Sequence, residues 1–147
     1  IAVYADLSKF RLSSMVVLTT GAGFVCAGVP IEWSTISMAC VGTALCAGSA
    51  GTFNQIFERD RDANMKRTSM RALPAGKISP TEATMWGVAS GATGVGMLLA
   101  GTPTPLVAAL GAGNIALYAG AYTWSKPRTE LNTWIGALVG AIPPVMG

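Results

Sequence analysis

The sequence predicts an all-α fold, a polytopic transmembrane helix bundle, and three observations carry that prediction. Of 147 residues, 51% are hydrophobic and only 12% are charged, whereas an ordinary soluble domain carries about 25% charged residues. The charges are clustered, so that the stretches 12–31, 33–57, 83–125 and 131–147 contain none. Glycine is abundant, at 18 residues; it would weaken soluble helices but lets membrane helices approach closely.

A membrane-spanning helix needs about 20 predominantly apolar residues. The first two stretches therefore give one span each, over 12–31 and 33–57. The third is long enough for two, divided at Gly101-Thr-Pro-Thr-Pro105 into 83–101 and 105–124. The span over 83–101 is announced by Ser79-Pro80 with Glu82, an early-turn acid that favours a helix start. A fifth span occupies 131–147, where the sequence stops inside an apolar run. Because the first residue is Ile1 and the last stretch has no polar end, the sequence reads as an internal piece, one partial domain over 1–147 with any targeting peptide upstream. Gly87-Val-Ala-Ser-Gly91 and Gly136-Ala-Leu-Val-Gly140 have the small-xxx-small spacing of packed membrane helices. No stretch alternates polar and apolar residues, which excludes a porin-like barrel. Cys26, Cys40 and Cys46 form no CxxC pair and there is no histidine, so they read as small packing residues without a zinc or haem ligand set.

All ten lysines and arginines fall on one side of these spans. Lys9 and Arg11 precede the first; Arg59, Arg61, Lys66, Arg67, Arg71 and Lys77 separate the second and third; Lys126 and Arg128 separate the fourth and fifth. The other side receives only Glu32 and an uncharged link. This is the positive-inside pattern, which places the basic loops in the cytoplasm or on the matrix side of an organelle. It explains the net charge of +3 without a basic face for nucleic acid. Lys9, Arg11 and Lys77 read as orienting charges that touch anionic headgroups.

The loop after the second span is the one stretch dense in carboxylates. Asn54, Glu58 and Asp62 are spaced i, i+4, i+8, so a helix continuing past the span stacks them on one face at the membrane edge. Two carboxylates so placed repel each other; Mg²⁺ relieves this, because it takes one or two carboxylates together with phosphates and waters. Arg67 and Arg71 follow at the same helical spacing, and guanidinium matches phosphate oxygens bidentately. The bland alternative is a solvated loop of mixed charge, and Asp60, two residues from both acids, keeps that reading. A second cluster, Tyr122-Thr-Trp-Ser-Lys126-Pro-Arg128, falls on the same side. Carboxylates for Mg²⁺ beside arginines for phosphate describe a diphosphate-binding mouth at the membrane edge, to which Lys126 reads as a further contact and Tyr122 as a lining residue, or both as an interfacial anchor.

Residues 54–76 resemble the first aspartate-rich motif, Asn-xxx-Asp-xxx-Asp, of the UbiA superfamily of intramembrane prenyltransferases, with Glu58 at its first aspartate. Met65-Lys-Arg67-Thr-Ser-Met-Arg71-Ala-Leu-Pro-Ala-Gly76 is similar to the Met-x-Arg-Thr-x-x-Arg-Pro-Leu stretch of the haem-farnesylating branch. Ser8-Lys-Phe-Arg11, Val17-Leu-Thr-Thr20 and the run from Tyr122 to Gly147 extend the likeness, the last being close to the mitochondrial type. Ala72 stands where that branch has proline, and Pro127 where it has arginine, whose contact is lost or taken by Arg128. The resemblance implies a second aspartate-rich motif in a later loop, which residues 1–147 do not include.

The resemblance implies a larger bundle around a central cavity and transfer of farnesyl from farnesyl diphosphate to a vinyl group of haem b. Water adds in the same reaction to give haem O, the precursor of haem A for cytochrome c oxidase. It implies Mg²⁺ as cofactor, Asn54, Glu58 and Asp62 holding Mg²⁺-diphosphate as catalytic and metal-binding residues, and Arg67, Arg71, Lys126 and Tyr122 contacting the diphosphate. It further implies membrane lipid as surroundings, haem A synthase as a partner, the mitochondrial inner membrane with basic loops on the matrix side, and no activity in residues 1–147 alone. The haem-holding residues are not identified. Two rivals remain: a UbiA-type enzyme with an aromatic acceptor, and a transporter or structural membrane subunit, which predicts ionisable residues inside the spans or repeat symmetry. Sidedness is testable in a variant lacking the native cysteines. A cysteine placed by Ala75→Cys should be labelled only from the basic-loop face and one placed by Thr102→Cys only from the other, whereas identical labelling would refute the span count.

Overall fold

The computed structural model describes residues 2–28, 30–126 and 128–147; Ile1, Val29 and Pro127 lie outside it, so the arginine-to-proline difference at Pro127 has no structural account. Among the described residues every regular element is helical: α1 (Ala2–Leu7), α2 (Phe10–Cys26), α3 (Trp33–Ala63), α4 (Pro80–Gly101), α5 (Pro105–Ala116), a π-helical segment (Leu117–Tyr122), α6 (Thr123–Ser125) and α7 (Asn132–Met146). Three continuous helices are long and apolar enough to cross a membrane, over Trp33–Ala63, Pro80–Gly101 and Pro105–Ser125. The first expected span is shorter than 12–31 suggests. Helix α2 has 17 residues, about 25 Å, because Gly28 takes a positive φ of 69° and Pro30 follows, a combination that stops a helix. Helix α1 is an element that the hydropathy pattern did not announce.

The bundle is polar and small inside, large and apolar outside. Helix α3 buries Gly42, Thr43, Cys46, Gly48, Ser49 and Ala50, while Met15, Leu18, Leu99, Leu106 and Trp134 face outward. That inversion suits lipid, where helix association comes from close packing of small residues and not from burying large ones. Gly87 and Gly91 work as their spacing predicts, on the seam between α3 and α4. A Cβ at Gly91 would lie 2.7 Å from Ser49 Oγ, and one at Gly94 would lie 2.8 Å from the Gly42 carbonyl oxygen. Ser49 Oγ donates to the Gly87 carbonyl across this seam at 2.7 Å.

Gly136 and Gly140 behave differently from expectation. Gly136 faces the Tyr122 ring, 3.1 Å from where a Cβ would be, and Gly140 has nothing within 4 Å. Both line a partly open cavity, so their small size leaves space open and does not close a helix pair. The three cysteines are free thiols. Cys46 is buried in a core with Leu98, Ala108 and Met146, as a small packing residue should be, whereas Cys40 is partly buried and Cys26, at the end of α2, is exposed, so the packing reading does not hold for Cys26. Helix α4 starts on a full capping box: Ser79 Oγ accepts from the Glu82 N–H, and the Glu82 carboxylate accepts from the Ser79 N–H, which fixes two otherwise unpaired donors.

The two ends of the bundle differ in charge. Glu32 and Thr102 to Thr104 line one recess at one end, while Lys9, Arg71 and Lys126 converge at the other. The seam between α3 and α4 sets the position of everything at the charged end, so overfilling it should be costly. In the purified protein in detergent, Gly94→Leu should lower unfolding stability by about 2–3 kcal/mol. Gly96→Leu, on the same helix with open space around it, should change it by less than about 0.5 kcal/mol.

Candidate functional site

Helix α3 does not stop where its apolar stretch stops at residue 57 but runs to Ala63. Asn54, Glu58 and Asp62 therefore share one face, and all three are buried, at 1%, 4% and 4% exposure. Arg59, Asp60 and Arg61 are exposed on the other faces, which agrees with reading Asp60 as a solvated charge. A carboxylate buried in apolar surroundings costs several kcal/mol unless it is paired. Each of these residues finds a cationic partner from a different part of the chain.

Lys126, just after α6, donates to Glu58 Oε1 at 3.0 Å. Arg71 Nη1 donates to Asp62 Oδ2 at 2.6 Å. Lys9, between α1 and α2, donates to Asn54 Oδ1 and to the Tyr118 hydroxyl at 3.0 Å. Asn54 Nδ2 in turn donates to Thr123 Oγ1 at 2.9 Å, and Thr123 Oγ1 donates to the Tyr118 carbonyl at 2.9 Å. That last bond runs five residues back along the chain, in step with the π-helical segment that holds Tyr118 and Tyr122. Their rings stack at 5.3 Å. A π-helical turn is uncommon and often lies at a functional site; the hydropathy pattern carries no signal for it.

Lys9 is the residue that sequence reasoning missed. Taken for an orienting charge, it is half-buried at the centre of the site. Its backbone adopts φ 48°, ψ 53°, a left-handed conformation uncommon outside glycine. Burial, reinforced by the nearby Arg71 and Lys126 and opposed by Glu58 and Asp62, lowers its pKa to about 8. A positive φ at a lysine was not readable from composition; its place just before an apolar span was the available clue.

The helical spacing extended to Arg67 and Arg71 does not hold, because the chain leaves the helix after Ala63 and continues in turns through residue 76. Arg67 is exposed and makes no hydrogen bond to the carboxylates. Arg71 returns to Asp62 because two tethers fold the loop back. Thr68 Oγ1 donates to the Asp62 carbonyl at 3.0 Å, and the Ala72 N–H donates to Asp6 Oδ2 at 2.8 Å. A proline at residue 72 has no N–H to give, so the alanine here allows a tether to α1. Leu7, Ala72, Leu73, Ile78 and Ala83 pack beneath it, which is the role of α1. Gly76, at φ 69°, supplies the left-handed turn that closes the loop.

Beside this polar cluster lies a cavity of about 280 Å³. Lys9, Tyr118 and Tyr122 line it together with Leu12, Val16 and Val139, so it joins a charged mouth to an apolar interior. Tyr122 thus faces the cavity. Three cations stand against two carboxylates at the mouth, a balance that favours an anion. Glu58 Oε2 and Asp62 Oδ1 have no hydrogen-bond partner among the described residues, and no group of three or more acidic, histidine or cysteine side chains gathers there. Two carboxylates with free oxygens fit a divalent cation that draws its remaining ligands from phosphate and water.

Residues 15–147 match the model of the UbiA prenyltransferase family. The chain is 44% identical over 98% of its length to the mitochondrial protoheme IX farnesyltransferase of Arabidopsis thaliana, covering 34% of that protein. It is 46% identical over 99% of its length to the protein of that name from Homo sapiens, covering 32%. For Saccharomyces cerevisiae the values are 41%, 98% and 31%. The chain thus spans about a third of the length of the curated relatives it matches.

The geometry makes Lys9 part of the charged cluster at the mouth, unlike Lys77, which is exposed. Titrating the full-length protein in detergent with inorganic diphosphate should show affinity reduced roughly ten- to a hundredfold by Lys9→Met, the scale of a lost charged hydrogen bond. Lys77→Met should leave it unchanged.

Proposed function

The chain belongs to the UbiA prenyltransferase family, and from that premise we propose that the whole protein transfers the farnesyl group of farnesyl diphosphate to haem b, yielding haem O. The single observation that carries this reading is the Asn54, Glu58 and Asp62 face, each member met by a cation, at the mouth of an apolar cavity. Relatives named protoheme IX farnesyltransferase, at 40–46% identity across almost all of the chain, support the choice of haem as acceptor over an aromatic ring. The two ion pairs found among the described residues lie together on the last turns of α3, at the charged end, and neither lies midway along a span as in a transporter pathway.

The chemistry sets two demands. Negative charge develops on diphosphate as the carbon–oxygen bond of the allylic substrate breaks, and preorganised cations lower the barrier by meeting that charge. Lys9, Arg71 and Lys126 are in position to do this, with Arg71 and Lys126 exchanging their carboxylate partners for phosphate oxygens. Mg²⁺, held by Glu58 and Asp62 with Asn54 beside them, would supply further neutralisation when bound. The second demand is to keep water from the allylic cation, and an apolar cavity inside a membrane bundle meets it. Tyr118 and Tyr122 form the wall between the charged mouth and that interior. Arg67, exposed on the loop, is left with a peripheral role in attracting the diphosphate.

The protein is placed by this proposal in the mitochondrial inner membrane, with the charged end on the matrix side and haem A synthase as the partner that takes the product. Residues 1–147 alone are expected to be inactive, because the cavity wall they supply is about a third of the relatives' length.

The test gives membranes containing the full-length protein farnesyl diphosphate, haem b and Mg²⁺, and reads haem O by mass. Asp62→Asn and Glu58→Gln keep size but remove charge, so each should lower turnover by about 10²–10³-fold without loss of membrane insertion. Near-normal rates with an ordinary Mg²⁺ requirement in both variants would overturn the assignment, and prenylation of a quinone precursor with none of haem would replace the acceptor.

A further inference from the structure

Three buried polar side-chain atoms have no hydrogen-bond partner among the described residues, Thr43 Oγ1 and Gln55 Oε1 on α3 and Asn114 Oδ1 on α5, and the first and last of them line one place. Several other hydroxyls in the spans have a partner: Ser49 Oγ donates across to α4, and Thr52 Oγ1 donates to the Gly48 carbonyl at 2.8 Å and Thr20 Oγ1 to the Val16 carbonyl at 3.1 Å within their own helices. Thr43 has the same option and does not take it. Buried polar groups are nearly always paired, so two orphans at one place call for an explanation.

Both side chains line one small chamber of about 20 Å³, walled by Cys46, Gly111 and Met146. A water molecule needs roughly 10–15 Å³ measured in this way, together with polar partners. Thr43 and Asn114 share the chamber without bonding to each other, and a single bridging water fits that arrangement. The chamber adjoins the main cavity, since Val16, Ala47, Ala50 and Asn114 line both. Asn114 lies four residues before Tyr118 on the same helical run, about one turn, or 5–6 Å, deeper than the charged mouth.

We infer that Thr43 and Asn114 are positioning residues for a bound water, and that this is the water incorporated into the product. The inference rests on the proposed haem farnesylation. In that reaction the carbon–oxygen bond of farnesyl diphosphate breaks with its electron pair going to diphosphate. The π pair of the haem vinyl group then forms the new carbon–carbon bond, which leaves a cation on the vinyl carbon next to the porphyrin ring. A lone pair of the held water forms a carbon–oxygen bond at that carbon, and its proton passes to the released diphosphate. Nothing is oxidised or reduced. The Asn114 carbonyl and the Thr43 hydroxyl hold the hydrogens of the water, which directs its lone pairs into the cavity. Without it, the same cation loses a proton and gives a product lighter by one water.

Full-length protein in membranes is assayed with farnesyl diphosphate and haem b, and the ratio of hydroxylated to water-deficient product is read by mass. Thr43→Val and Asn114→Leu should lower that ratio roughly tenfold, the scale of a lost hydrogen bond, while farnesyl transfer itself continues. Thr43→Ser, which keeps the hydroxyl, should behave as wild type. Ala47→Val fills the chamber from α3 without removing a polar group and should lower the ratio as well; this variant carries the test if the others do not accumulate. An unchanged ratio in the active variants overturns the inference. Absence of any farnesylated haem from the unmodified protein instead overturns the proposed function, so the two failures are distinguishable.

Discussion

Glu58 and Asp62 lie on consecutive turns of α3 at the edge of an apolar bundle, nearly inaccessible to water. An isolated charge there costs several kcal/mol, and two of the same sign on one face repel each other as well. The chain answers by bringing three cations to that face from three separate segments, across 45, 9 and 68 residues of sequence for Lys9, Arg71 and Lys126. The position of α1, the course of the loop after Ala63 and the turn after α6 all follow from this requirement. An excess of one positive charge remains, which gives the same arrangement a net attraction for anions.

The cations can meet the face only if the helices that deliver them are close. Gly42, Gly91 and Gly94 let α3 and α4 touch along their backbones, and the Ser49 to Gly87 hydrogen bond locks their register. On the other side of α3 the same economy of side chains has the opposite effect. Gly136 and Gly140 of α7 and Ala50 of α3 leave a cavity beside the polar cluster. Small residues thus close one seam and open another, and the difference lies in what faces them.

Rigidity at the mouth comes from backbone devices more than from the charges. The π-helical segment shifts Thr123 into reach of both Asn54 and the Tyr118 carbonyl, joining α3 to the run that carries the two stacked tyrosines. The loop to Arg71 is pinned by the Ala72 N–H on Asp6. Where proline would stiffen the loop through its ring, this sequence stiffens it through a contact with α1, and Leu7 anchors that contact in the core.

The amino-acid sequence by itself determined the class of fold, because uncharged stretches of membrane-spanning length leave a chain few other ways to satisfy its backbone. It also determined the shared face of Asn54, Glu58 and Asp62, since helical periodicity is local and the residues lie within eight positions of one another. Arg71 and Lys126 were legible as phosphate-binding types, but not as the partners of Asp62 and Glu58. Only the tertiary structure decided that pairing, the outward place of Arg67, the inward place of Lys9 and the unpaired state of Thr43 and Asn114. The physical reason is that each depends on where a segment outside the helix returns, or on which wall of the bundle a side chain meets. Composition and spacing along one strand of sequence hold no record of either.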